Sequence, residues 1–285
     1  MKLSKKIAQS AAFLVLRLSA VAMIGVLGII LFFVFSRGIR SISWEFLTAM
    51  PKNGMTEGGI FPAIVGTCYL VLGAVLVSVP LGVLSAIYTT EYARQGRLMG
   101  IIRMATNNLS GVPSVVFGLF GMVFFVKGLN FGPSILAGSL TLALVALPVV
   151  IRTSEEALRA VPMGLREASL ALGATRWQTI CKVVLPASLS GILTGTILTV
   201  GRVAGETAPI LFTVAAYFLP RLPHSPFDQV MAMPYHLYVI TTSGTQIEKT
   251  RPLAYGTAVV LLGMVLLINL TAILLRNRVR KKIGW

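Results

Sequence analysis

The sequence predicts an all-α integral membrane protein with six transmembrane helices, and three observations lead to this fold class. Hydrophobic residues make up 55% of the 285-residue chain and charged residues only 12%, about half the charged share of a soluble domain. The mean hydropathy of +0.84 argues against a soluble fold and against intrinsic disorder, because so much apolar surface needs a lipid environment. The chain also contains several nearly charge-free runs of about 20 residues, the length that crosses a bilayer core.

These runs give the domain organisation. The six predicted spans are 18–36, a stretch within 58–90, 104–126, 128–151, a stretch that starts near Val183, and 252–275. We therefore expect a cytoplasmic N-terminus (1–17), a first helix (18–36) and a core (60–285) with five further spans and a connecting region, 152–186. The first span has the basic start of a signal peptide. Its apolar run is too long and lacks a small-residue cleavage site, so we expect a retained helix.

The distribution of basic residues predicts the orientation of the chain. Twenty-five Lys+Arg against nine Asp+Glu give a net charge of +16, which on its own suggests nucleic-acid binding. With six spans, however, 16 of these basic residues fall on the side that carries both termini and only seven on the other side. The positive-inside rule then places both termini in the cytoplasm.

The connection 152–182 is too long for a simple turn between spans. Thr153–Ser154 is expected to cap a helix, and Pro162–Gly164 to break it. A second helix over Leu165–Leu172 then ends at Gly173, a residue suited to a left-handed C-terminal position. The pattern predicts a helix–turn–helix pad on the cytoplasmic face. A solvated amphipathic loop lying on anionic lipid is the alternative.

A longer pattern crosses this connection. Glu167-Ala168-Ser169, three residues, Gly173, nine residues and Val183-Val184-Leu185-Pro186 resemble the EAA motif of ABC-importer permeases, E-A-A, three residues, G, nine residues, I-x-L-P. Only Ser169 and Val183 depart from it, both conservatively.

The resemblance implies the type I ABC-importer permease fold with a cytoplasmic coupling helix that docks on an ATPase subunit. It carries a coupling role onto the residues of the motif and, less directly, onto two flanking arginines. These residues are Glu167, Ala168, Gly173, Leu185, Pro186, Arg166 and Arg176.

Arg202 and Glu206 form a second feature, four residues apart at the end of the fifth span. This spacing predicts that they share one helix face, turned away from lipid, because charge facing lipid is costly. Two interpretations stay open, a local salt bridge and an anion path. A guanidinium fork suits phosphate or carboxylate oxygens, and a neighbouring carboxylate can accept a proton-bearing oxygen, which favours phosphate over sulfate.

The segment GRVAGETAP around this pair resembles the permease subunits of phosphate ABC importers. The stretches PLGVLSAIYTTEYA (80–93), NLSGVPSVVFGLFG (108–121) and 152–180 resemble them as well. The resemblance implies that Arg202 and Glu206 lie on the translocation path in a bacterial inner membrane. It also implies three partners: a second permease subunit, an ATPase dimer and an extracytoplasmic phosphate-binding protein. The two permease subunits of such importers share several of these motifs.

The sequence contains no G-x-x-x-x-G-K-[ST] loop, so we expect no ATPase site in this chain. We expect ATP and Mg²⁺ to be used by a partner subunit, and no cofactor or metal to be bound here. His224 and His236 do not form part of a ligand cluster. The alternatives are an ABC permease for another oxyanion, such as sulfate or molybdate, or for another solute, and an ion-coupled carrier or channel.

Three smaller features complete the set of expectations. Glu91 and Arg94 are expected to form a surface pair. The G-x-x-x-G of Gly191 and Gly195 predicts close helix packing, within the chain or between subunits. The stretch 218–250 is either a contact for a binding protein or an interfacial belt.

Overall fold

The computed structural model describes residues 2–94, 96–243 and 247–283, and the side chains of Lys2, Lys5, Lys249 and Arg280–Lys282, used in the charge count above, lie outside the described part. The described chain is mostly helical. In order, the elements are α1 (Lys2–Gly38), α2 (Trp44–Thr48), β1 (Pro51–Lys52), β2 (Glu57–Gly58), α3 (Phe61–Ile87), α4 (Arg97–Leu109), α5 (Ser114–Gly121), α6 (Ile135–Arg159), α7 (Met163–Ala171), α8 (Arg176–Thr179), α9 (Leu185–Gly205), α10 (Ala208–Leu211), α11 (Met233–Thr242) and α12 (Ile247–Ile283). The strands β1 and β2 pair antiparallel, and π-helical turns continue α3 to Tyr92, α5 to Gly128 and link α8 to α9.

Five helical stretches of the described chain are long and apolar enough to cross a membrane. They are Gln9–Ser41, Phe61–Tyr92, Ile135–Arg159, Arg176–Gly205 and Thr250–Arg278. A sixth crossing is formed if the pair Arg97–Leu109 and Ser114–Gly128, bent by 100°, counts as one span. The predicted all-α membrane fold is confirmed, with six spans on that count.

The third predicted span, 104–126, is wrong as a single straight helix. The helix α4 ends where the Gly111 amide donates to the carbonyl oxygen of Asn108 (3.0 Å). Pro113 follows, has no amide hydrogen to donate, and disfavours helical geometry at Val112. The chain therefore turns before α5 begins at Ser114, with Pro113 in an extended conformation (φ −57°, ψ 137°).

The fourth span is shifted toward the C-terminus relative to the prediction of 128–151. Ser134 caps the start of α6, accepting a hydrogen bond from the amide of Ala137 (3.2 Å). The cap predicted at Thr153–Ser154 is wrong, because α6 runs on through these residues. The Thr153 hydroxyl donates instead to the carbonyl oxygen of Val149 (2.9 Å), one turn back inside the helix.

The packing of α3 on α6 fixes the path of the chain. A Cβ placed on Gly73 would lie 2.5 Å from Ser139 Oγ, and one on Gly82 would lie 2.6 Å from Val150 Cγ1. Both contacts advance in the same direction along the two helices, so α3 and α6 are parallel. The chain between them, which contains the bent pair, must return across the bundle. We call the end at which α3 and α6 finish, and at which α7 lies, the motif end.

The glycines of the G-x-x-x-G pattern pack within the chain, where α9 lies against α6. A Cβ on Gly191 would lie 2.7 Å from Ala157 Cβ, and one on Gly195 would overlap the Thr153 side chain. The residue order is reversed between the two helices, so α9 runs antiparallel to α6. These two glycines therefore pack inside the chain, where small residues let helix backbones approach closely.

The irregular segment 206–232 is built into the bundle. Three carbonyl oxygens of this segment accept hydrogen bonds from the first amides of α6: Ser134 N to Thr213 O, Ile135 N to Asp228 O and Leu136 N to Pro226 O, each 2.9 Å. A helix start has unpaired amide hydrogens, and non-helical backbone at membrane depth has to be covered by protein. This segment meets both needs, and its Val214 and Val230 belong to the same buried cluster as Leu70 and Leu142.

Candidate functional site

The EAA-motif residues lie on α7 and the turn that follows it. Pro162 precedes the first residue of the helix, and Gly173 follows its end with φ +83°. Its amide donates to the carbonyl oxygen of Leu170 (2.9 Å), which closes the last turn. The helix predicted over Leu165–Leu172 is confirmed with a start two residues earlier. A Cβ on Gly173 would meet no atom within 4 Å, so within the chain the backbone conformation, and not crowding, requires glycine.

The motif continues directly into the fifth span. Thr175 caps α8 with a capping box, in which its side chain accepts from the Gln178 amide and the Gln178 side chain accepts from the Thr175 amide. Beyond the π-helical turn, Pro186 stands in the first turn of α9. Leu185 packs against a buried cluster formed by Ala86, Ile87, Leu158, Val161, Ile180 and Val184. The motif therefore connects a loop helix to a span through continuous helix and packed side chains.

Arg166, beside the motif, is turned into the protein. Its guanidinium contacts Glu91 Oε1 through Nη2 (2.9 Å) and Nε (3.3 Å). It also donates to the carbonyl oxygens of Leu158 (2.8 Å) and Val161 (2.5 Å). The predicted surface pair of Glu91 with Arg94 is wrong, because the helical turn ends at Tyr92 and Arg94 no longer lies on the face of Glu91.

The remaining charged residues of the motif region face outward. Glu167, Ala168 and Arg176 are exposed, and among the described residues no hydrogen bond or ion pair involves Glu167. Large apolar side chains are exposed in the same short stretch, at Met163 (65%), Leu170 (45%), Leu172 (89%) and Trp177 (55%). Apolar groups in such number on a polar loop indicate an interaction surface.

A cavity of about 550 Å³ lies between α7 and the end of α3. Five charged residues contribute to its lining: Glu91, Arg159, Arg166, Glu167 and Arg176. The buried pair Arg166–Glu91 and the exposed residues Glu167 and Arg176 therefore line the same polar cavity at the motif end.

Arg202 and Glu206 lie at the other end of α9. Arg202 is in the last helical turn and Glu206 is the first residue after it, with extended geometry (φ −71°, ψ 127°). Arg202 Nε and Glu206 Oε1 are 3.3 Å apart, so the two predicted site residues are brought together. The side chain of Glu206 is 14% exposed and that of Arg202 is 47% exposed. The guanidinium therefore holds one contact to Glu206 and keeps further donors open.

Two features, one near Arg202 and one at the motif end, were not found from the sequence. The Asn269 side chain of α12 lies against Gly201, with Nδ2 3.1 Å from where a Cβ would stand. Its Oδ1 is buried, and no hydrogen-bond partner for it lies in the described part of the chain. A polar amide inside the apolar span 252–275 is the signal that would have singled it out. The second feature is Glu91 as the partner of Arg166, 75 positions earlier in the chain.

The bend of the third span lies near the Arg202–Glu206 pair. A Cβ on Gly118 would contact Ala208 and Pro209, and one on Gly121 would contact Thr213. The helix α5 and the segment that follows Glu206 thus run in the same direction past each other. Following both segments back toward their starts brings the Ser110–Pro113 bend toward Glu206.

Among the described residues outside the spans, His236 and Asp228 have lowered pKa values, and burial raises the pKa of Tyr235. Burial lowers the pKa of His236, on α11, to about 4, because the charged imidazolium loses its hydration. Hydrogen bonds from the backbone amides of His224 and Ser225 lower the pKa of Asp228. The Asp228 carboxylate thus holds the turn at 224–228, whereas the buried Nδ1 of His236 has no hydrogen-bond partner in the described part of the chain. Neither group lies close in sequence to Arg202.

A bundle of apolar helices, with a loop helix that carries the EAA motif before its fifth span, is the architecture of the permease component of a transport system. The family model described as "Binding-protein-dependent transport system inner membrane component" matches residues 78–285, and the chain belongs to this family.

Known relatives and solved structures agree with this membership. The chain is 35% identical over 263 residues to the "Probable ABC transporter permease protein YqgI" of Bacillus subtilis, covering 88% of this chain and 89% of that protein. It is 42% identical over 185 residues to the "Phosphate transport system permease protein PstA" of Yersinia pestis, covering 65% and 62%. It is 33% identical over 246 residues to the protein of the same name in Xylella fastidiosa, covering 86% and 84%.

Among solved structures, a bacterial ABC transporter for import of the acidic polysaccharide alginate matches with TM-score 0.66 at 15% identity, over 98% of this chain and 99% of that one. The inward-facing MetNI methionine ABC transporter matches with TM-score 0.57 at 20% identity, over 78% and 94%. At these identities the likeness concerns the fold, which is that of type I ABC-importer permeases.

Proposed function

We propose that the chain is a PstA-like permease subunit of an ATP-driven importer of inorganic phosphate and forms half of its translocation path. The observation that carries the proposal is the identity of 33–42% to proteins named phosphate transport system permease, over 65–86% of this chain. The half-exposed Arg202 guanidinium, with a carboxylate beside it, supplies chemistry that fits an oxyanion.

Arg202 and Glu206 are the proposed path residues. A guanidinium presents several N–H donors in one plane and binds two phosphate oxygens at once. Glu206 holds Arg202 through Nε only, so the terminal nitrogens remain available for an anion. The carboxylate of Glu206 can accept a hydrogen bond from a protonated phosphate oxygen, which sulfate does not have at neutral pH. This pair therefore favours phosphate among the oxyanions.

The proposed coupling residues are Glu167, Ala168, Gly173, Leu185, Pro186, Arg166 and Arg176. In this proposal the exposed side of α7 docks on an ATPase subunit, with Glu167 as its free carboxylate and the apolar side chains of Leu172 and Trp177 as the contact area. Leu185 and Pro186 continue the docked segment into α9, so a displacement of α7 reaches the span that carries Arg202 in its last turn.

The partners follow from this assignment. They are a second, PstC-like permease subunit, a PstB-like ATPase dimer and a PstS-like extracytoplasmic phosphate-binding protein. We assign ATP and Mg²⁺ to the ATPase dimer and no cofactor and no hydrolysis to this chain. The motif end then faces the cytoplasm of a bacterium, with both termini on that side of the inner membrane. The stretch 218–250, which we place at the opposite end, is a candidate contact for the binding protein or an interfacial belt. The rings of Tyr235 and Tyr238 stack there with centroids 6.2 Å apart.

The test is uptake into proteoliposomes that contain the chain with its permease and ATPase partners. We expect ATP-dependent uptake of labelled phosphate and little uptake of sulfate or molybdate. Equal uptake of sulfate or molybdate would favour the neighbouring alternative of a different oxyanion. Uptake without ATP, by a homo-oligomer of this chain, would favour a carrier or channel.

Substitutions at Arg202 separate the anion path from a local salt bridge. Arg202→Lys keeps the positive charge beside Glu206 but loses the planar fork. We expect Arg202→Gln to reduce phosphate uptake about tenfold or more, as loss of a charged hydrogen bond does, and Arg202→Lys to be impaired as well. Normal uptake by Arg202→Gln in a normally assembled complex would refute the assignment of Arg202 to the path. Arg152→Gln is the matched control, since Arg152 also pairs with a glutamate four residues on, at an exposed site.

A further inference from the structure

The side chain of Arg166 joins three separate elements at the motif end. Its guanidinium contacts Glu91, on the π-helical turn that ends α3, and the carbonyl oxygen of Leu158, in the last turn of α6. It also binds the carbonyl oxygen of Val161, in the connection to α7. Arg166 itself belongs to α7. One side chain thus links the loop helix to the ends of two spans.

Burial distinguishes this ion pair from the other pairs of the region. The side chains of Arg166 and Glu91 are 13% and 14% exposed, whereas those of Arg152 and Glu156 are 62% and 68% exposed. An exposed ion pair contributes little, but removing one partner of a buried pair leaves a charge without compensation. We therefore expect the Arg166–Glu91 pair, and not the Arg152–Glu156 pair, to hold helices in place.

An arginine is the residue that these acceptors require. They lie on three elements, and the planar fork reaches them all with Nε, Nη1 and Nη2. A lysine ammonium is a compact charge at the end of a flexible chain and cannot reproduce this geometry.

The spans α3 and α6 remain attached to each other without Arg166. They pack along much of their lengths, and the Thr89 hydroxyl donates to Glu155 Oε1 (2.5 Å) near the motif end. The helix α7 has fewer other ties, mainly the hydroxyl contact of Ser169 with Thr179 (2.9 Å) and the packing of Leu165. Loss of the Arg166 contacts should therefore loosen α7 and leave the α3–α6 pair intact.

We propose that Arg166 and Glu91 are positioning residues that fix α7 to the ends of α3 and α6, so that a movement of α7 displaces both spans together. This inference rests on the proposed function, in which α7 receives movement from an ATPase. It also changes the role expected for Arg166. Arg166 transmits movement inside the chain and does not contact the ATPase subunit, whereas its neighbour Glu167 faces that subunit.

The experiment compares Glu91→Gln, Arg166→Gln and Arg166→Lys with the control Arg152→Gln in the assembled transporter. We expect the complexes to assemble and to hydrolyse ATP, with phosphate transported per ATP reduced by about twofold to thirtyfold, the range for residues that carry coupling. The control should match the wild type. Unchanged transport per ATP in the three variants would overturn the proposal, and so would failure of all three to assemble, because the pair would then serve folding alone.

Hydrogen exchange provides a readout that does not depend on the substrate. In the assembled complex, the amides of α7 should exchange at least about threefold faster in Glu91→Gln and Arg166→Lys, as expected for a local opening. The amides of α3 and α6 should be unchanged. If exchange in α7 is unaffected, the proposal is wrong. If exchange rises as expected while the wild type transports no phosphate, the positioning role stands and the substrate assignment fails.

Discussion

Replacing Gly195 by alanine tests the contact that brings the fifth span against the fourth. The added Cβ would overlap Thr153 Oγ1 and lie 2.5 Å from Thr153 Cβ. Rotation of the Thr153 side chain does not relieve this, because Cβ is fixed by the backbone. Carbon atoms in contact lie about 3.5–4.0 Å apart, so the two helices must separate by roughly 1 Å. Overpacking of this kind costs about 1–3 kcal/mol.

The matched control is Gly263→Ala on α12, where an added Cβ meets no atom within 4 Å. Both substitutions bring the same gain in helix propensity, about 1 kcal/mol, so the difference between the variants isolates the contact. Unfolding by denaturing detergent, followed by tryptophan fluorescence, should show Gly195→Ala to be less stable than Gly263→Ala by about 1–3 kcal/mol. Equal stabilities would refute the conclusion that Gly195 sets the distance between α6 and α9.

Three further predictions address the remaining features. At Gly173, whose φ of +83° suits asparagine better than alanine, Gly173→Asn should preserve the end of α7 and its hydrogen-exchange protection, and Gly173→Ala should weaken them. If Asn instead uncouples ATPase activity from uptake more than Ala does, bulk at the docking surface and not backbone strain decides the role of this glycine. Because burial lowers the pKa of His236 to about 4, against about 6.5 in an unfolded chain, the folded protein should lose stability as the pH falls from about 6.5 toward 4, and His236→Leu should lose less. Asn269→Leu, which removes a buried oxygen without a partner in the described chain, should leave thermal stability unchanged or raise it by about 1 kcal/mol, and a clear decrease in melting temperature would contradict this.

Local signals in the sequence predicted local structure well. The stop of α7 at Gly173 follows from a left-handed backbone that glycine adopts at no steric cost, and the Arg202–Glu206 contact follows from their spacing. A local signal failed where the surrounding helix offered the same side chain another hydrogen-bond partner. Thr153 is a good cap residue, but the helix of the fourth span already surrounds it, so its hydroxyl bonds within the helix.

The bend at Ser110–Pro113 was missed for a different reason. Hydropathy averages over a stretch, and 104–126 contains no charged residue to interrupt it. Gly111 and Pro113 are residue types that favour a kink, but the size of the bend depends on the partners that the chain finds on either side. Here α5 packs against the segment after Glu206, and this contact draws the second half of the span away from the first. The partner of Arg166 was equally invisible, because Glu91 lies 75 positions away and joins it only through the fold.

Arg166 and Arg202 both pair with a glutamate but differ in how many of their donors stay free. Each arginine contacts one glutamate that is 14% exposed. Arg166 also donates to two backbone carbonyl oxygens, so four of its five N–H groups are engaged, and its side chain is only 13% exposed, which leaves little capacity for an external ligand. Arg202 contacts its glutamate through Nε alone and is 47% exposed, which leaves the two terminal nitrogens for an anion. The four contacts of Arg166 fit the proposed role of a joint between helices, and the open donors of Arg202 fit the proposed role of a binding group.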